Sequence, residues 1–184
     1  MPTPGDRSLV IVDALLADGT TTSVRIVGGV VAALGGAPLP GDEVLPAYGR
    51  LLLPAMADAH AHLDKAFLAE TVPNPTGDLM GAIVSMEAHR PRITEADTAM
   101  RAERAARLIA ANGATAIRTH ADLTEANGVT SVAALLHVRE LLADLVRIEV
   151  FALSGWPSIG AAGAQQRALL REAVATARAR LLSG

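Results

Sequence analysis

Two patterns of apolar and polar positions divide the chain. Residues 8–53 alternate in short runs broken by Gly, Pro and Asp. "SLVIVDALL" is apolar and rich in β-branched residues, which predicts a strand. In "DGTTTSVRIVGGVVAAL", Asp18-Gly19 and Gly28-Gly29 read as turns around strands at 23–27 and 30–34. "GGAPLPGDE" reads as a Gly/Pro loop. This predicts a small β-rich segment over residues 1–53, with a different kind of unit over 54–184.

The second pattern alternates short apolar runs with helical periods. Residues 51–57 are apolar without a helical period, and Pro54 argues against a helix, so the run predicts a buried strand. "PNPTGD" is a loop and "DLMGAIVSMEAH" a helix. "RITEADTAMRAERAARLIAANG" predicts a longer helix, with Thr94 as N-cap, Asp97 at the third helical position and Asn112-Gly113 as the stop. A β-branched strand follows over 114–119. The next helix carries Leu135, Val138, Leu142 and Leu145 at helical spacing. "RIEVFAL", 147–153, is the next strand, and "SGWPSIGAAGA" is a loop. The last helix places Leu170, Val174, Ala177 and Leu181 on one face. Strands alternating with helices imply a parallel sheet. The pattern alone fits an open doubly wound sheet as well as part of a (β/α)8 barrel.

Chemistry-bearing residues gather where these strands end, the usual place for active sites in parallel α/β folds. The first strand leads to His60, His62 and Asp64 in "ADAHAHLDKAF". Side chains at i and i+2 share a face of a strand, so His60 and His62 project together and two neutral imidazoles can grip one metal ion. The second strand leads to Arg118, His120 and Asp122, which share one face, with Thr119 and Ala121 on the other. The third leads to Ser154, Gly155 and Trp156. Each residue also has a plainer role. His120 is either a site residue or a hydrogen-bonded strand-end histidine. Asp64 either orients a metal-bound imidazole or serves as a helix N-cap or solvated turn residue. Lys65 pairs with Asp64, meets a substrate anion or is simply solvated. Trp156, the only tryptophan, either lines a pocket by stacking or anchors packing. Asp58 fits a structural hydrogen bond, and His89 and His137 read as ordinary helix residues.

Composition narrows the classes. The 184 residues are 51% hydrophobic but only 2% aromatic, so the core is built from Ala, Leu, Val and Ile. A net charge of −3 with no basic block leaves no electrostatic footprint for nucleic acid. Without cysteine there is no disulfide, thiolate nucleophile or Cys-ligated zinc, which excludes the cysteine-ligated zinc deaminases. No Gly-rich phosphate loop follows a strand, which weakens a flavodoxin-like nucleotide binder. "MPTPGDRSLVIVDALLADG" reads as neither signal peptide nor membrane span, so no membrane partner is expected and the default location is cytoplasmic.

The order of a short β segment, an apolar strand ending in H-x-H and then β/α units resembles the N-terminal part of the amidohydrolase superfamily. "HLDKAF", "PNPTGDL", "ANGATAIRTHADL" and "VRIEVFAL" resemble its cytosine deaminase-like branch, which includes triazine-ring amidohydrolases. The resemblance covers nearly the whole chain. It implies a metal-dependent hydrolase on a (β/α)8 TIM barrel, here about three β/α units. His60 and His62 match the first two ligands of one divalent metal ion, zinc or iron. That ion activates a water to attack a ring carbon and expel ammonia or an amine. Asp64 and His120 match residues near the family's site that are not metal ligands, and Trp156 joins them as a substrate-binding candidate. The implied substrate is a small heterocycle with a cyclic amidine or amide. Where cytosine deaminases carry a pyrimidine-reading glutamine, this chain has "LSGWPS", which argues against cytosine itself.

A complete barrel takes roughly 250 residues. The family's third histidine ligand, catalytic glutamate and metal-binding aspartate fall beyond Gly184, so catalytic residues are not assignable in this chain. The expectation is a fragment, a truncated reading frame or one part of a larger assembly, a homo-oligomer or a pair with a complementing chain. As an isolated monomer it is expected to bind metal weakly and not turn over. The competing expectation is an inactive remnant that serves as an oligomerising or regulatory module.

Overall fold

A computed structural model describes residues 8–182, which divide between Pro54 and Ala55 into two compact units. The first unit is a four-stranded sheet of β1 (Ser8–Leu15), β2 (Thr21–Val27), β3 (Val30–Leu34) and β4 (Glu43–Pro46), ordered β3-β2-β1-β4. β1 and β2 form an antiparallel hairpin, and β4 lies parallel to β1. β4 went unread because a proline-rich loop hides its four residues. Among the described residues only Val10, Ala14 and Val24 are buried there, so the core of this sheet is thin. Arg25 and Asp42 reinforce it with an ion pair at 2.8 Å.

The second unit is a three-stranded parallel sheet, β5 (Met56–Ala61), β6 (Ala114–Leu123) and β7 (Arg147–Ser154), in that order. Helices α1 (Leu79–His89) and α2 (Glu95–Ala111) follow β5, α3 (Thr130–Leu141) follows β6, and α4 (Ala164–Leu182) follows β7. The Thr94 hydroxyl accepts from the Asp97 amide at 3.2 Å and caps α2, whose end is turned by Gly113 at φ +94°. The architecture is mixed α/β with each crossover carrying helix, as parallel pairing requires.

β6 shows how the core forms. Ile117, Thr119, Ala121 and Leu123 are buried, alternating with Arg118, His120 and Asp122 on the opposite face. Against the buried face packs a cluster that includes Ala102, Ala105 and Ala106 of α2 and Leu135, Leu136 and Val138 of α3. The alanines of α2 let its backbone approach the sheet closely.

Three expectations need correction. The apolar run at 51–57 is not one buried strand. Leu51 bridges to Leu15 in the first unit, and the strand starts only at Met56. β5 is an edge strand, and Met56 is 63% exposed, because apolarity without alternation marks a run but not its partner. In α3, Leu135, Val138 and Leu142 are buried but Leu145 lies past the helix end and is exposed. In α4 the inward residue is Ala173, beside Leu170 and Ala177, while Val174 is exposed. The Leu181 side chain lies outside the described residues.

Candidate active site

The helix-free face of the second sheet carries the polar residues. His60 lies in β5, and His62 follows the strand as the lead-in to a 3-10 turn, Leu63–Lys65. Their ring centroids are 5.2 Å apart. His120, on β6, stacks on His60 at 4.3 Å and lies 5.6 Å from His62. Three imidazoles therefore meet across two adjacent strands. The Nδ1 atoms of His62 and His120 are buried and have no hydrogen-bond partner. Burial pushes the His62 pKa down and the Lys65 ammonium adds to that, which favours the neutral ring with a free lone pair. Among the described residues, no three His, Cys, Asp or Glu side chains are arranged to hold a metal ion. Neutral imidazoles such as those of His60 and His62 can each offer a lone pair to a cation, but among the described residues they form no complete metal-binding group.

A second layer fixes the turn after His62. β6 outruns β5: their last paired residues are Ala61 and Thr119. Beyond that point side chains replace the missing ladder. The Leu63 amide donates to the Thr119 hydroxyl at 3.0 Å, and the Asp122 amide donates to Asp64 Oδ2 at 3.0 Å. Asp64 is therefore neither an N-cap nor a solvated turn residue. It is 3% exposed, its Oδ1 has no partner, and burial pushes its carboxyl up. Lys65 pairs with Asp122 Oδ1 at 2.9 Å, not with Asp64. Arg90 takes the other Asp122 oxygen at 2.9 Å. Burial alone would raise the Asp122 carboxyl, but these two cations outweigh it and hold it below the usual carboxylate value. Asp58 accepts from the His60 amide at 3.2 Å.

Two arginines escaped the sequence reading. Arg101 reaches in from α2 and donates to the Asp64 and Ala66 carbonyls, both at 2.9 Å, while Asp97 holds its Nε. Its signal was an arginine in register with the buried alanines of α2. Arg90 follows α1 within "HRPR", where nothing local marks it as a partner of Asp122. Arg118 pairs with Glu149 of β7 at 3.1 Å and lies over the Phe151 ring.

Beside Asp122, past the ends of β6 and β7, lies a cavity of about 580 Å³. Trp156 and Ser154 line it, and so does Gln166 of α4. Trp156 is 92% exposed, so it is not a packing anchor. The three histidines do not line this cavity; Asp122 stands between the two places through Lys65.

No protein-family model matches the chain. It is 30% identical over 151 residues to a pterin deaminase of Rhizobium rhizogenes, covering 82% of this chain and 33% of that protein. It superposes on N-isopropylammelide isopropylaminohydrolase from Burkholderia multivorans with a TM-score of 0.74 and 27% identity, over 92% of this chain and 43% of the other. For 5-methylcytosine deaminase from Klebsiella pneumoniae the TM-score is 0.76 at 26% identity, over 90% and 40%. Over nearly its whole length the chain is similar to the N-terminal part of deaminases and amidohydrolases of the amidohydrolase superfamily. It spans about a third of the length of the curated relatives it matches. Triazine hydrolase and further amidohydrolases share the fold at lower identity.

Proposed function

We propose that this chain supplies the metal-binding first portion of an amidohydrolase that cleaves a C–N bond in a flat amidine- or amide-bearing heterocycle. One observation carries the reading: the rings of His60, His62 and His120 converge across β5 and β6, and the Nδ1 atoms of His62 and His120 are buried without a partner. The relatives support the substrate class, since a pterin, an ammelide and a methylated cytosine are each such a ring.

His60 and His62 would hold the divalent ion, whose Lewis acidity makes a water nucleophilic near neutral pH. The protein's own contribution is orientation. His120 stacked on His60 fixes that ring's plane. The lowered pKa of His62 keeps its lone pair available. Asp64 and Arg101 anchor the turn that carries His62, so the two imidazoles approach an ion without rearranging the chain.

A second reading, a module for assembly without turnover, is favoured by the incomplete donor set. Elemental mass spectrometry on the purified protein and on a His60→Ala/His62→Ala double variant separates the two. Bound zinc or iron that vanishes in the variant supports the hydrolase reading. Equal, near-zero metal in both proteins would leave the module.

A further inference from the structure

We propose that Phe67 is a positioning residue for the turn that carries His62, pinning the chain just past that turn onto α2. This rests on the proposed hydrolase reading for its functional meaning, but its geometry stands without a metal ion.

The backbone raises the question. Phe67 sits at φ +60° and ψ 5°, in the left-handed region. That region crowds a Cβ against the backbone, so glycine is its usual occupant. The second unit follows the rule elsewhere. Among its described residues Gly77, Gly113, Gly128 and Gly160 also have positive φ, and Phe67 is the one that does so with a side chain. A strained residue of this size persists only where its surroundings over-determine it, and such residues gather at functional sites.

The surroundings do so here. Phe67 lies between two short turns, Leu63–Lys65 and Leu68–Glu70. Leu63 and Leu68, one from each turn, are buried. Two arginines of α2, three residues apart and so on one helix face, hold the segment between them. Arg101 donates to the carbonyls of Asp64 and Ala66, just before Phe67. The Arg104 guanidinium lies 3.7 Å from the Phe67 ring centroid and donates to both Glu70 carboxylate oxygens, at 3.1 and 3.2 Å. Arg104 is exposed, so its own tie is modest, and the packing of the ring against the core cluster carries the larger share. The ring therefore does what a glycine could not: it fastens the chain to α2 beyond Arg101. With the segment held on both sides, the Asp64 and Ala66 carbonyls stay on Arg101 and the Leu63 amide stays on the Thr119 hydroxyl. His62 immediately precedes that amide.

The test is Phe67→Gly, which relieves the backbone and removes only the ring, so the variant is expected to fold. The first readout is amide exchange of the metal-free protein. Exchange at Leu63 should quicken about tenfold more than at Ile117, which is buried in the middle of β6. A merely structural role would quicken both alike. The second readout is zinc affinity by competition with a chromophoric chelator, which should fall about tenfold. Phe67→Tyr keeps the ring and should match the parent in both readouts. Arg104→Ala, an exposed change, should quicken Leu63 exchange about threefold. Leu63 exchange that quickens no more than Ile117 exchange in Phe67→Gly would overturn the inference, whatever zinc does. So would a parent that binds zinc and a Phe67→Gly variant that binds it equally well. A parent that binds no zinc, with Leu63 exchange quickened as expected, would retire the metal reading and leave Phe67 as the residue that places the turn.

Discussion

At the residue scale, Asp122 is where the second unit concentrates charge. Its oxygens hold Lys65 and Arg90, and its amide is held by Asp64. Its pKa lies below the unfolded value of about 3.9. The native state therefore binds fewer protons there than the unfolded chain. The resulting stability is fully present above about pH 4 and is lost as pH falls toward the native value. Asp122→Asn should cost about 2 kcal/mol at pH 7, because it takes the shared carboxylate from Lys65 and leaves Arg90 with Glu87 alone. It should also flatten the acid limb of stability, as read from urea midpoints by circular dichroism between pH 7 and pH 3. An acid limb as steep as the parent's would show that other carboxylates set it. Asp64 acts oppositely: burial raises its pKa, so its penalty is present at neutral pH and is relieved on acidification. The parent-minus-variant difference isolates the Asp122 contribution.

At the scale of elements, α2 is both wall and clamp. One face buries Thr98, Ala102, Ala105 and Ala106, and Arg101 in the same register reaches the turn after His62. Arg101→Met keeps the stem but leaves two carbonyls without their donor, which should cost about 3 kcal/mol. Metal uptake should fall further than stability does, because the His62 turn loses its anchor. Zinc titration under conditions where the variant is fully folded checks this, and uptake equal to the parent's would confine Arg101 to stability.

Element types were largely legible from periodicity. α2 carries a cap and a stop in its own residues, and the β6 alternation separated Thr119 and Ala121 from Arg118, His120 and Asp122 before any contact was known. The nearness of His60 and His62 was legible for the same reason. What stayed hidden was pairing. Nothing local says that Leu51 turns to Leu15, that Lys65 chooses Asp122 over its neighbour Asp64, or that Gln166 comes back to Gly155. Those choices are made across 11 to 57 residues of chain by sheet order and burial.

At the scale of the whole molecule, the second unit presents an open parallel sheet. Among the described residues neither β5 nor β7 has a strand on its outer side, and Phe151 and Leu153 of β7 are 46% and 43% exposed. Such edges recruit further strands. Sedimentation velocity should show a mean mass that rises with protein concentration. Ala152→Lys, an exposed edge position, should lower that rise. A monomer mass independent of concentration in the parent would mean that the edges are protected by their twist alone. No helix among the described residues is long and apolar enough to cross a membrane.

The carboxylate that stands in for a missing strand has a further consequence in time. The Asp122 amide hydrogen is held by Asp64 and not by a neighbouring backbone, so its deuterium exchange follows the swing of one turn and not the unzipping of the sheet. Its lifetime is a clock for how often the histidine-bearing turn lets go of β6, and a metal ion gripping His62 should slow that clock while leaving the amides of mid-strand β6 unchanged.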